Sequence, residues 1–273
     1  MKILIIGASG FLGNKLYTFL EKRHHVFGTS RHSLPPFIKL DLKNRKETIN
    51  IINSIKPNVI IFAAGIARPN EVEKNLDDAF KINVSSLVPI LKTINKLNIK
   101  VIFLSSIYVF DGKKNKYFEQ DISSPFNLYG KLKIESENLI KKISDHLIIR
   151  SDMIYGYDPI HKNNGFIGTL INNKTIHLNS KIKRKPIFID DFNIIIEKLM
   201  LENINGIIHL TGKESVTLSD FANNICDKLK ISCNVVKLEN GENVPVLASN
   251  RLKYSFTKIK KALEITWDII QKN

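Results

Sequence analysis

Lys2-Ile-Leu-Ile-Ile6, running directly into Gly7-Ala8-Ser9-Gly10-Phe11-Leu12-Gly13, is the stretch that decides the fold. The run after Lys2 is apolar and mostly β-branched, which predicts a strand buried on both faces of a parallel sheet. A helical pattern follows to about Lys22, so the order is strand, glycine turn, helix. Gly7 permits the tight turn, Gly10 lets the backbone approach a pyrophosphate, and Gly13 lets the helix sit against the strand. The helix start also offers free N–H groups and a partial positive charge to phosphates. The spacing is GxxGxxG rather than GxGxxG, and its setting between a buried strand and a helix is what gives it weight.

The chain beyond repeats this alternation. His25–Ser30 reads as a second strand, ending at Arg31. Thr29, Ser30 and Arg31 stand where an NAD-specific site carries an acidic residue for the adenosine ribose. A cation beside two hydroxyls suits a 2′-phosphate, so the expected cofactor is NADP(H), with NAD(H) as the alternative. Ile38–Leu42 reads as a short third strand and Val59–Phe62 as a buried fourth, followed by Ala63-Ala64-Gly65. Small residues there let a ribose and phosphates pass close to the backbone at the ligand-binding edge of an α/β sheet. Residues 71–97 read as one or two helices, with Asn83 inside, and Val101–Leu104 as a fifth strand delivering Ser105 and Ser106. The loop 110–126 is long enough for a substrate lid.

Tyr129-Gly130-Lys131-Leu132-Lys133 opens the next helix, read from Leu128 to about Lys142. A Tyr and a Lys four apart on a helix share one face. A neighbouring ammonium favours the phenolate, so Lys133 is expected to lower the Tyr129 pKa and make it a usable general acid. In isolation the pattern would describe a buried Tyr and a solvated Lys; the glycine turn upstream gives it its catalytic reading. Ser106 can then hydrogen-bond a substrate carbonyl oxygen together with Tyr129. Residues 146–150 read as a sixth strand, 151–185 as polar and irregular, and 186–190 as a return to the first lobe. A helix to about Leu201, a strand Gly206–Leu210 and a helix Thr217–Leu229 follow, and Trp267 reads as packing.

With 273 residues, 43% of them hydrophobic, the chain can bury a large α/β core. The net charge of +15 is spread along the sequence and is compatible with acidic nucleotide ligands. Basic runs interleaved with aromatics are lacking, which argues against nucleic acid. No apolar run approaches the ~18 residues of a membrane span, and the first one breaks at Gly7, too early for a secretory signal. Cys226 and Cys233 carry no metal spacing and are expected to stay reduced in a cytoplasm.

Three motifs together, GASGFLG at 7–13, SSIYVFDG at 105–112 and NLYGKLK at 127–133, resemble the extended short-chain dehydrogenases/reductases, and among them the dTDP-4-dehydrorhamnose reductase family. The likeness extends to 150–156, 206–210 and 251–255. It implies an α/β doubly wound Rossmann parallel sheet with a smaller C-terminal substrate lobe. Residues 1–150, rejoined by 186–210, would form the NADP-binding domain, and 151–185 with 211–273 the substrate lobe. It implies cofactor contacts from Gly7, Ser9, Gly10, Phe11, Leu12, Gly13, Ser30, Arg31, Asp41, Leu42, Ala63, Ala64, Gly65, Ser105, Tyr129 and Lys133. Ser106, Tyr129 and Lys133 would be catalytic, and Ser106, Tyr108, Met153 and Arg251 would face a nucleotide sugar, with no metal. Asn83 would support the helix that carries Tyr129. A homodimer is the candidate assembly.

The sequence departs from that family pattern at Ile107, where an Asp is usual, and at Leu132, where Ser or Thr is common. Ile107 is expected to remove a polar contact near the sugar. The lack of a carboxylate after Ser106 argues against a sugar-nucleotide dehydratase, which needs an acid/base there. Residues 245–251 also resemble the regulatory β subunit of methionine adenosyltransferase. The reading is therefore an NADPH-dependent 4-keto-6-deoxy-sugar reductase of deoxysugar biosynthesis, with a non-catalytic NADP-binding subunit as the alternative.

Overall fold

The computed structural model describes residues 1–159, 165–239, 244–252 and 254–272. Residues 160–164, inside the stretch read as irregular, and Lys253, inside the piece 251–255, lie outside the described residues. The chain opens with β1 (Lys2–Ile6), α1 (Phe11–Leu20), β2 (His25–Ser30), β3 (Ile38–Lys39), α2 (Arg45–Ile55) and β4 (Val59–Phe62). Helices α3 (Pro69–Lys74), α4 (Leu76–Phe80) and α5 (Val88–Lys96) follow, with a π-helical turn at Lys81–Ser85. β5 (Lys100–Ser106) runs into a 3-10 turn, Ile107–Val109, before α6 (Leu128–Ile140) and β6 (His146–Ser151). Next come β7 (Ile154–Tyr155), α7 (Gly165–Asn172), β8 (Thr175–Asn179), β9 (Lys183–Arg184) and β10 (Ile187–Phe188). The last elements are α8 (Ile189–Leu201), β11 (Gly206–Leu210), β12 (Val216–Thr217), α9 (Leu218–Leu229), β13 (Asn234–Leu238) and α10 (Ile259–Gln271).

Seven strands form one sheet in the order β11-β6-β5-β4-β1-β2-β3, the doubly wound arrangement read from the sequence. Ile5 lies opposite Gly28 on one side and Ile61 on the other, both in parallel register. The winding reverses between β1 and β4, so the crevice at their carboxyl ends is where such a sheet takes a ligand. Apolar side chains cover both faces, and Leu4, Ile60, Val101 and Ile148 are fully buried. Each contributes about 1.5–3 kcal/mol by leaving water.

The chain divides into two compact units: 1–110 with 120–150 and 199–208, and 111–119 with 151–198 and 209–273. Thus 186–198, read as part of a return to the first lobe, groups with the second unit. Three local readings need correction. Residues 71–97 are broken twice, because the Asn75 side chain caps α4 through Asp78 N–H and Pro89 sits in the first turn of α5. Residues 151–185 are not irregular: they include α7 and β8, and β8 pairs in parallel with β13, Ile176 opposite Val235. That partner lies too far along the chain for a local pattern to betray it. The loop 110–126 is not a free lid either. In the second unit Tyr117 is 1% exposed, donates its N–H to Val246 O and accepts from Ala248 N–H, while its hydroxyl bonds Asp111.

Candidate active site

A groove of about 260 Å³ opens in the first unit at the switch point, lined by Gly7, Ser9, Gly10, Arg31, Asp41, Leu42 and the 63–66 segment. The glycines divide the labour. Gly7 sits at φ +90°, and a Cβ there would meet Ala64 at 2.7 Å. At Gly13 a Cβ would lie 2.1 Å from the Gly7 carbonyl, so only glycine lets α1 pack on the turn. Gly10 is different: its nearest neighbour would be 3.6 Å away, and the space above it is open. The fold does not need glycine there, but a closely approaching ligand would. Gly10→Ala should therefore leave the thermal midpoint unchanged and weaken dinucleotide binding. Gly13→Ala should lower the midpoint by several degrees, and calorimetry beside a binding titration separates the two.

Phe11 and Leu12 start α1 half-buried, and the helix start has no side-chain cap hydrogen bond. Thr29 holds the turn, accepting from Gly7 N–H at 3.2 Å through its hydroxyl and from Ala8 N–H through its carbonyl. Ser30 is 2% exposed. Of the trio expected at the end of β2, Thr29 and Arg31 line the groove, and Arg31 is exposed there. Asp41 uses one carboxylate oxygen to accept from Lys43 N–H. Asn83, in the π-helical turn, clamps the far wall: its amide accepts from Ile66 N–H at 2.8 Å and donates to Ile66 O at 3.0 Å. Its own carbonyl accepts from Ser136 of α6, joining the groove to that helix.

At the end of β5, Ser106 caps the 3-10 turn, its Oγ accepting from Tyr108 N–H. The Tyr129 hydroxyl is hydrogen-bonded to Ser106. α6 starts at Asn127, whose side chain accepts from Gly130 N–H at 2.8 Å. A Cβ on Gly130 would lie 2.0 Å from Tyr108 O, so this glycine permits the docking that brings Tyr129 to Ser106. Lys133, one turn on, is 9% exposed; its Nζ donates to Leu104 O at 2.9 Å and stands 5.8 Å from the Tyr129 ring centre.

Burial pushes the Tyr129 phenol well up, and the Ser106 hydrogen bond only partly offsets this. Burial likewise pushes Lys133 down to about 8, opposed by the Glu137 charge. Lys133 was expected to lower the Tyr129 pKa; the net direction is upward because desolvation is the largest cause, while the Lys133 ammonium is bonded to the Leu104 carbonyl. Tyr129 is a protonated phenol at neutral pH, the form that can give a proton.

Ser105 does not face the groove; its Oγ donates to Glu137 at 2.6 Å, and Glu137 binds Arg150. The sequence reading missed Gly130, Glu137 and Arg150. The spacing 129, 133, 137 would have placed Glu137 on the face of Tyr129 and Lys133. Ile107 is 1% exposed, its side chain packed into the core. Tyr108 is half-buried, with its ring 5.9 Å from that of Tyr129. Met153 and Arg251 belong to the second unit, where Met153 O accepts from Ile187 N–H and Arg251 is exposed. Among the described residues no helix is long and apolar enough to cross a membrane, and no cluster of His, Cys, Asp and Glu could hold a metal.

A Tyr–Lys helix face meeting a serine at the carboxyl end of a doubly wound sheet defines the extended short-chain dehydrogenase/reductase class. Within it, the chain belongs to the RmlD substrate binding domain family, whose model matches residues 1–271. It is 31% identical to dTDP-4-dehydrorhamnose reductase of Aggregatibacter actinomycetemcomitans, over 90% of this chain and 83% of that protein. It is 29% identical to methionine adenosyltransferase 2 subunit beta of Rattus norvegicus, over 92% of this chain and 78% of that one. The structure of dTDP-4-dehydrorhamnose reductase from Bacillus anthracis in complex with NADP has the same fold: TM-score 0.85, 22% identity, covering 98% of this chain and 99% of that one.

Proposed function

We propose that the chain is an NADPH-dependent reductase of a nucleoside-diphosphate-linked 4-keto-6-deoxy sugar, working in deoxysugar assembly. The observation that carries this reading is the buried Tyr129 phenol, hydrogen-bonded to Ser106 with Lys133 one helical turn away. The groove fits a dinucleotide: open space over Gly10, an uncapped α1 start, and Arg31 at the edge for a 2′-phosphate. When bound, NADPH supplies the hydride that a keto carbon needs. Ser106 orients the keto oxygen by hydrogen bonding, and Tyr129 gives that oxygen its proton. An alkoxide is a far stronger base than a phenolate, so the transfer runs downhill although burial raises the phenol pKa. Lys133 keeps a positive charge beside Tyr129 below about pH 8. The buried Ile107 offers no acid/base for dehydration.

The test is NADPH oxidation with a panel of dTDP-, GDP- and UDP-linked 4-keto-6-deoxy sugars. Turnover on at least one is expected. The likeness to methionine adenosyltransferase 2 subunit beta favours a second reading, a non-catalytic NADP-binding subunit. No turnover, together with capture of a methionine adenosyltransferase, would establish that one instead. In either reading Arg31 should set the cofactor preference. A charge-assisted contact contributes about 1.5–3 kcal/mol, so Arg31→Ala should cost NADPH affinity about tenfold or more and leave NADH affinity unchanged. Equal affinities for the two cofactors in the unmodified protein would refute this.

A further inference from the structure

Behind the Tyr–Lys face lies an ion pair that proton donation does not itself require. Glu137 and Arg150 are 1% and 2% exposed. Arg150 binds the carboxylate with Nε at 2.9 Å and Nη2 at 2.7 Å, and the same Nη2 donates to Ser123 at 3.0 Å. Its guanidinium also lies 5.1 Å from the Phe110 ring centre. Burying two charges brings little net stability over an apolar pair of similar size; in some proteins such a pair is kept for the geometry it fixes.

Here the geometry concerns two elements. α6 carries Tyr129, Lys133 and Glu137 along one stripe, while β5 ends in Ser105 and Ser106. Ser106 meets Tyr129, and Ser105 donates to Glu137 at 2.6 Å. We infer that Glu137, clamped by Arg150, is a positioning residue that ties the end of β5 to the helix carrying the proton donor. This deepens the reductase reading and rests on it for its kinetic arm only. The pair also sets the field at Lys133: Glu137 on the same helix raises its pKa against burial, and Arg150 from β6 holds Glu137 in place. From β5, Lys133 meets the Leu104 carbonyl and the Phe103 ring, 4.8 Å to its centre.

Three variants test the inference: Ser105→Ala, Glu137→Gln and Glu137→Asp. Steady-state kinetics is read beside titration of Lys133 by NMR on ε-¹⁵N-lysine protein. Ser105→Ala should fold, lower kcat by about 10–10²-fold and hardly move KM for NADPH, as a displaced donor does. Glu137→Gln should also move the Lys133 midpoint below its value of about 8. Glu137→Asp should recover part of the midpoint but not the bond to Ser105, and it takes the place of Glu137→Gln if that variant fails to fold. Unchanged kcat in Ser105→Ala with an unmoved Lys133 midpoint in the Glu137 variants would make the pair merely structural. If the unmodified protein turns over no sugar, the reductase reading fails, and the NMR midpoints alone decide the inference.

Discussion

Tyr129→Phe is expected to reduce turnover by about 10²–10⁴-fold, the usual contribution of a general acid. The substitution removes one hydroxyl and keeps the ring, so the edge-on contact with Tyr108 and the packing of α6 against Val72, Ala79 and Val84 remain. Cofactor affinity should hardly move, since the groove proposed to hold the dinucleotide is lined by the glycine turn and Arg31 and not by Tyr129. One structural consequence is favourable: the hydroxyl being removed is buried, so its desolvation cost disappears with it and the thermal midpoint should hold. The assay is NADPH oxidation with the best substrate of the sugar panel, run beside a binding titration. Turnover that survives the change would overturn the assignment of the proton donor.

The strands β1 and β4 are legible in the sequence to the residue, because a strand covered on both faces carries an unbroken apolar run; β2 and β11 are shorter apolar pairs bounded by polar residues and glycine. Tyr129 and Lys133 were legible because helical spacing alone puts them on one face. What stayed hidden depends on partners distant in sequence. β8 and β13 are half-exposed and find each other across roughly sixty residues, so neither shows a strong period of its own. Ser105 looked like a cofactor contact by position at a strand end, and only the fold turns its hydroxyl to Glu137. The upward direction of the Tyr129 pKa is hidden for a similar reason: spacing gives proximity, while burial is the largest cause of the shift.

Gly130→Ala should be the most damaging single-methyl change near the site, and two opposing terms decide it. Helix propensity alone favours alanine over glycine by about 0.8–1.0 kcal/mol. Against this, the added Cβ would stand 2.0 Å from Tyr108 O and 2.9 Å from Pro125 Cβ. A backbone carbonyl cannot rotate away as a side chain can, so α6 or the 3-10 turn must shift. Overpacking of this kind costs about 1–3 kcal/mol, which exceeds the propensity gain. The helix cannot slide freely to relieve it, because the Asn127 cap holds Gly130 N–H and Ser136 holds the Asn83 carbonyl. The displacement therefore falls on the gap between Tyr129 and Ser106. A misplacement near 1 Å is worth about 10²-fold in rate, so turnover should drop by that order while the thermal midpoint falls by a few degrees. Gly10→Ala is the matching control, since its Cβ has room inside the protein. A Gly130→Ala protein that melts higher than the original and keeps its turnover would show that propensity wins and that the close docking of α6 is dispensable.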